Sequence, residues 1–116
     1  MDDRLKKALE FSNYQNALSV QRQLLKEKLN SSLIYGYNGG IFKVTESLIS
    51  FVQFLIDNDR ISDIPILDSN SNPILIKDMK EFRDSILNVY FTVVVGYYSE
   101  YEKIKKNRTI EKLVEL

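Results

Sequence analysis

The sequence predicts an α+β fold: two long helices plus a buried central helix, with two β-hairpins, in the order α-ββ-α-ββ-α. Three observations carry that reading. Long proline-free stretches with apolar residues at helical spacing lie toward both ends of the chain. Asn38-Gly39 separates two short apolar runs, and a second pair of runs, each carrying a proline, flanks an Asx-rich loop.

From residue 3 to about 29 no Gly or Pro occurs. Phe11, Leu18 and Leu25 stand seven apart, with Leu5, Tyr14 and Leu29 adding to that side. Asn16, Gln21 and Arg22 interrupt the stripe. So polar a helix is expected to lie across the domain or against the C-terminal helix. Residues 33–37 and 41–44 then read as a hairpin. A type I′ turn needs positive φ at both central residues, which Asn38 and Gly39 tolerate, and Gly40 could absorb a bulge.

Thr45 is placed to N-cap a helix running to Asp57, with Glu46 in the first turn. Glu46, Ser50, Gln53 and Asp57, at steps of four, three and four, form its expected exposed stripe. Phe51, Val52, Phe54, Leu55 and the other apolar residues are expected inside, making this the most buried element. Residues 57–60 end it in turn formers. Residues 64–67 and 73–76 make the second hairpin around the loop at 68–72, with Pro65 and Pro73 at strand starts or on an edge.

Residues 78 to about 108 read as one helix, roughly 45 Å long if some thirty residues are helical. Met79, Phe82, Ile86, Tyr90, Val93, Tyr97 and Ile104 recur on one face. Asp78 and Glu81 fit an acidic capping box. Lys103, Lys105, Lys106 and Arg108 meet the negative end of the helix dipole. The run 89–98 is rich in β-branched and aromatic residues, which also suits a buried strand. Helix is preferred because no turn residues flank the run and Gly96 alone is a weak breaker. Residues 109–116 are a short extension or a frayed tail, and residues 1–116 form a single domain.

Composition bounds the function. The 116 residues balance sixteen cations against sixteen anions, which argues against a dedicated nucleic-acid binder. Cysteine and histidine are both absent, removing disulfides, thiolate ligands, the thiol nucleophile and the commonest general base. No signal peptide or membrane-spanning run is read, so a cytoplasmic protein is expected. Asp68, Asn70 and Asn72 match the first three ligand positions of an EF-hand loop. Pro73 then stands where Gly is required and Met79 where the bidentate Glu belongs, so turn chemistry is the better account. Asn30-Ser31-Ser32 and Asn107-Arg108-Thr109 match glycosylation acceptors without a secretory context, and the four glycines draw no phosphate loop. Asp57 and Asp59 are the remaining carboxylate pair, and turn acids are commoner than catalytic dyads. The expectation is no enzyme, no catalytic residue, no cofactor and no metal.

Two surfaces invite a partner. Phe91, Val94, Val95 and Tyr98 point away from the core face of the long helix, which suggests a homo-oligomer or a larger protein partner. A two-fold seam at Val94 and Tyr98, near Gly96, would cover them. The second is the basic end, Lys103, Lys105, Lys106 and Arg108 with Tyr97, Tyr98 and Tyr101. Together with Arg4, Lys6 and Lys7 it could contact phosphates, although Glu100, Glu102 and Glu111 interrupt it.

The pattern Tyr37-Asn38-Gly39-Gly40-Ile41-Phe42-Lys43-Val44 feeding an apolar helix resembles small accessory or assembly proteins, themselves without assigned activity, of tailed marine bacteriophages of the T-even type. The ending Tyr98-Ser99-Glu100-Tyr101-Glu102-Lys103-Ile104-Lys105-Lys106-Asn107-Arg108 shares that resemblance. An Asn-, Ile-, Lys- and Tyr-rich composition suits an AT-rich viral genome, hence the host cytoplasm. The resemblance implies an accessory or assembly role and carries no binding residues with it.

Overall fold

A computed structural model describes residues 2–106. Three helices and two antiparallel hairpins follow in the order α-ββ-α-ββ-α: α1 Asp3–Ser32, β1 Ile34–Tyr37, β2 Gly40–Lys43, α2 Glu46–Asp57, β3 Ser62–Leu67, β4 Pro73–Asp78 and α3 Met79–Lys106. The run 89–98 is helical throughout, and α1 continues three residues beyond the expected end. Arg108 and residues 109–116 lie outside the described residues. No helix among the described residues is long and apolar enough to cross a membrane.

Local chemistry fixes the element ends. Asn38 and Gly39 both take positive φ, 49° and 84°, between the paired residues Tyr37 and Gly40. Thr45 is extended, and its Oγ1 accepts the Leu48 N–H at 3.0 Å at the start of α2. Asp78 ends β4 and caps α3, its Oδ1 accepting from the N–H of Lys80 and of Glu81 at 3.1 Å each. Strand passes into helix with no loop between.

The chain forms two compact units. The first, Asn30–Val94, holds both hairpins, α2 and the opening of α3. Its core is Phe42, Val44, Val52, Ile66, Ile76, Met79, Phe82 and Ile86, drawn from β2, α2, β3, β4 and α3 together with the residue after β2. Burial alternates along β2 and its exit: Gly40, Phe42 and Val44 inside, Ile41 and Lys43 outside. The Phe82 ring is the hub, with Phe42 edge-on at 5.1 Å, Tyr37 edge-on at 5.5 Å and Tyr35 tilted at 5.9 Å.

The hairpins stay separate two-stranded sheets and are joined chiefly by side-chain hydrogen bonds. Asp68 is the main link. Its Oδ2 accepts the Ile41 N–H at 3.1 Å, and its Oδ1 accepts from Asn70 and Asn72 at 3.0 and 2.9 Å. Ser69 donates to the Ile41 carbonyl from both its N–H and its hydroxyl. On the other strand edge Asn38 Nδ2 donates to the Leu75 carbonyl at 3.3 Å, and the Lys77 N–H donates to Tyr37 Oη at 3.4 Å. Edges that would otherwise be open are thereby occupied.

Gly40 pairs in register with Tyr37, so it is no bulge. Its absent side chain serves close approach instead: a Cβ there would fall 2.5 Å from Ile74 Cγ1 and 3.4 Å from Asp68 Oδ2.

The α2 face assignment requires correction. Val52 alone on α2 is buried, while Phe51 and Phe54 are 49% and 61% exposed. Gln53, expected outside, is half-buried, accepting from Arg83 Nη1 at 3.1 Å and donating to Asp57 at 2.8 Å. Beside it Tyr90 Oη donates to Glu46 Oε1 at 2.8 Å. These bonds turn the Glu46–Gln53 side toward α3 and rotate the phenylalanines outward. Ser47, omitted from the expected polar stripe, lies on the exposed side with Ser50 and Asn58. The most deeply buried side chains belong to α3 and the strands more than to α2.

The second unit comprises Met1–Leu29 with Val95–Leu116, described over 2–29 and 95–106. Its core is Leu25 against Ile104, with Tyr14, Ala17, Leu18, Tyr97 and Tyr101 packed around them. The expected contact of α1 with the C-terminal helix is therefore present. Phe11 and Leu5 leave the stripe and are exposed. The single apolar face read on α3 divides, Met79 to Tyr90 joining one core and Tyr97 to Ile104 the other.

Candidate interaction surfaces

On α3 the residues expected to meet a partner fall in both units. In the first, Phe91 is 58% exposed, its ring edge-on to Tyr90 at 5.6 Å, while Val94 is half-buried. In the second, Val95 and Tyr98 are 64% and 63% exposed. Three residues of the four are thus open, and Val94 only partly. Gly96 is also open: a Cβ added there would meet nothing within 4 Å. Leaving such side chains in water forgoes about 1.5–3 kcal/mol for each large group.

Phe51 and Phe54 add a second apolar surface that the sequence reading placed inside. A serine at position 47, one turn before Phe51 and two before Phe54, was the available sign that this side of α2 faces water. Glu46 and Asp57 fall on the Gln53 side of α2, bonded to Tyr90 and Gln53, and Asp59 and Arg60 follow the helix end.

The basic end is less unified than its spacing suggests. Lys103 Nζ pairs with Glu100 Oε1 at 3.3 Å. Lys105 and Lys106 are exposed and form no ion pair among the described residues. Arg108 lies outside the described residues. Tyr97 and Tyr101 stack on each other at 6.3 Å and pack on the Leu25–Ile104 core. The Arg22 guanidinium also sits 5.9 Å from the Tyr101 ring centroid. Those two rings are occupied by their own unit, and Tyr98 is the tyrosine left open for stacking.

Asp68 settles the reading of the Asx-rich loop. Both carboxylate oxygens accept backbone N–H groups, chiefly those of Asn72 and Ile41, and these bonds hold its pKa below the ordinary value of 3.8. A carboxylate surrounded by donors is set up as a structural anchor, and turn chemistry accounts for the loop. Asp57 accepts from Gln53, and Asp59 occupies a turn with φ of 62°. No group of three or more acidic side chains among the described residues is placed to hold a metal ion. The Tyr90 hydroxyl is shifted upward by its bond to Glu46, by burial and by the Glu46 charge.

Compared with known proteins, the chain matches no family model, no curated protein and no solved structure.

Proposed function

We propose that this chain is a non-enzymatic protein that works through protein–protein contact, as an oligomeric accessory or assembly factor. The observation that supports this best is the open apolar row of Phe91, Val95 and Tyr98 on α3. Exposed apolar surface of that kind marks association sites. The resemblance of the Tyr37–Val44 pattern and the lysine-rich ending to phage accessory and assembly proteins adds a second, independent support. A cysteine-free chain suits the reducing cytoplasm, where we place it, the host's if the protein is viral.

Sedimentation at micromolar concentration tests the reading. The wild type is expected above monomer mass, and Val94→Glu with Tyr98→Glu is expected to give a folded monomer. A wild type that is monomeric at tens of micromolar would sink it. The rival reading, an accessory factor contacting nucleic acid or a nucleic-acid enzyme through Lys103, Lys105, Lys106 and Arg108, draws on Lys105 and Lys106, which are exposed and form no ion pair among the described residues. Binding to an oligonucleotide at 50 and 200 mM salt separates them, since phosphate contacts weaken steeply with salt and apolar contacts do not.

A further inference from the structure

Helix α1 carries an apolar line apart from the side that packs on α3. Leu5, Leu9, Asn13, Asn16, Val20 and Leu24 follow one another at steps of four, four, three, four and four. At 3.6 residues per turn all six fall within about 50° of one line along the helix. The four apolar members are between 45% and 56% exposed, and both asparagines are exposed. Leu25, Tyr14, Ala17 and Leu18, which form the core with α3, occupy another side roughly 130° round. The whole line lies within Met1–Leu29, inside one unit.

This line reads the same from either end: two apolar residues, two asparagines, two apolar residues, with mirrored spacing. We propose that it is the contact surface for a second copy of the chain, α1 lying antiparallel on α1 about a two-fold axis between Asn13 and Asn16. Leu5 then meets Leu24, Leu9 meets Val20 and Asn13 meets Asn16, each pairing occurring twice. A two-fold contact demands such self-complementarity, which a different partner would not impose. Asparagine amides both donate and accept, so Asn13 and Asn16 satisfy each other where the seam excludes water. Such a polar pair lowers stability and fixes register and partner. The premise that copies associate is shared with the homo-oligomer reading, while the surface is separate from the α3 row.

Charge decides between the two directions. From residue 8 to 21 Glu10 alone is charged, and it stands about 90° off the line. Asp2, Lys6 and Glu27 continue the line at its ends, with Lys28 beside it. Glu100 shares a shallow groove with Leu24 and Lys28 and pairs with Lys103. Antiparallel helices bring Asp2 of one copy level with Glu27 of the other, and Lys6 and Lys28 offset those two acids. Parallel helices in register would set Lys6 on Lys6 and Glu27 on Glu27, and like charges in contact oppose association. With a polar middle this is the weaker contact, acting at concentrations above the micromolar range in which the α3 row joins copies.

A chain without cysteine makes the test direct. Leu9→Cys and Val20→Cys are made in separate full-length chains, mixed at several hundred micromolar and mildly oxidised, with circular dichroism verifying each fold. A disulfide between the two variants is expected, and little from either variant alone. Two copies of position 9 lie eleven residues apart in the antiparallel pair, roughly 16 Å. Cross-linking of Leu9→Cys with itself would mean parallel helices, and no cross-link in any arm would mean that something else or nothing covers α1. Either result overturns the contact. Sedimentation separates it from the α3 reading. Leu9→Glu with Val20→Glu should keep the wild-type mass at micromolar concentration and lose the rise seen at several hundred. Phe11→Gln, exposed on the opposite side of α1, should keep both, and an equal loss there would overturn the assignment of the face. Val94→Glu with Tyr98→Glu should be monomeric at micromolar concentration and dimeric at several hundred. If that chain stays monomeric throughout while the wild type associates, the α1 contact fails and the α3 reading stands. If the wild type is monomeric at tens of micromolar and the mixed disulfide still forms, the α3 reading fails and the α1 contact stands.

Discussion

The two units are held together in very different ways. In the hairpin unit eight buried side chains meet from two helices and three strands, and Phe82 alone touches rings on both strands of the first hairpin. In the helix-pair unit two buried residues, Leu25 and Ile104, carry the core, and α1 contributes one buried residue from thirty. Helices gain most of their stability from packing an apolar face, and short isolated ones are marginal in water. The first unit has a packed core of its own, with Phe51, Phe54 and Phe91 left outside it. The second has only a two-residue core and leaves Leu5, Leu9, Phe11, Val20 and Leu24 in water.

The largest expected effect tests that contrast directly. Phe82→Ala should cost about 3–5 kcal/mol in a urea melt, through lost transfer energy plus a cavity among three aromatic neighbours. Ile104→Ala should cost less than half as much, because its surroundings are mostly half-exposed. Equal costs at Phe82 and Ile104 would break the comparison.

Next in size is Gly40→Ala. The added methyl meets the branched stem of Ile74, which cannot swing aside as a flexible chain end could, so a loss of about 1–3 kcal/mol is expected. The measurement is the same melt, and a neutral result would mean that the hairpins can separate slightly without penalty.

Smaller again is the pair on α2. Gln53→Ala should cost about 0.5–1.5 kcal/mol by releasing the Arg83 guanidinium. Phe51→Ala should stay within about 0.5 kcal/mol of wild type at concentrations where the chain is monomeric. The reverse order would restore the face assignment read from the sequence.

The smallest is a dependence on pH. Asp68 has a folded pKa below its unfolded one, so its carboxylate contributes stability above about pH 4, lost as pH falls through the folded value. Asp68→Asn should flatten the acid limb of a stability–pH curve between about pH 5 and 2, while the wild type keeps it. Identical limbs would show that Asp68 does not sense the joining of the hairpins.

Whatever depends on partners within a few residues was legible in the sequence. Asn38 and Gly39 specify their own turn, Thr45 and Asp78 cap the helices that follow them, and the apolar period of α3 outweighs the strand preference of its valines. The element order follows from these alone. Where the sequence reading failed, the deciding contact lies far along the chain. Gly40 looked like a bulge until Ile74 came against it. Asp68 does serve its turn, as read, and what the sequence did not show is that its carboxylate also holds the Ile41 N–H, 27 positions away. Phe51 and Phe54 looked buried because α2 has more apolar than polar residues. Its rotation was set by Gln53 reaching Arg83 and Glu46 reaching Tyr90, 30 and 44 positions away. Composition states how much of a helix is apolar. Only the packed neighbours decide which of those residues the core has room for, and on α2 they left two phenylalanines outside.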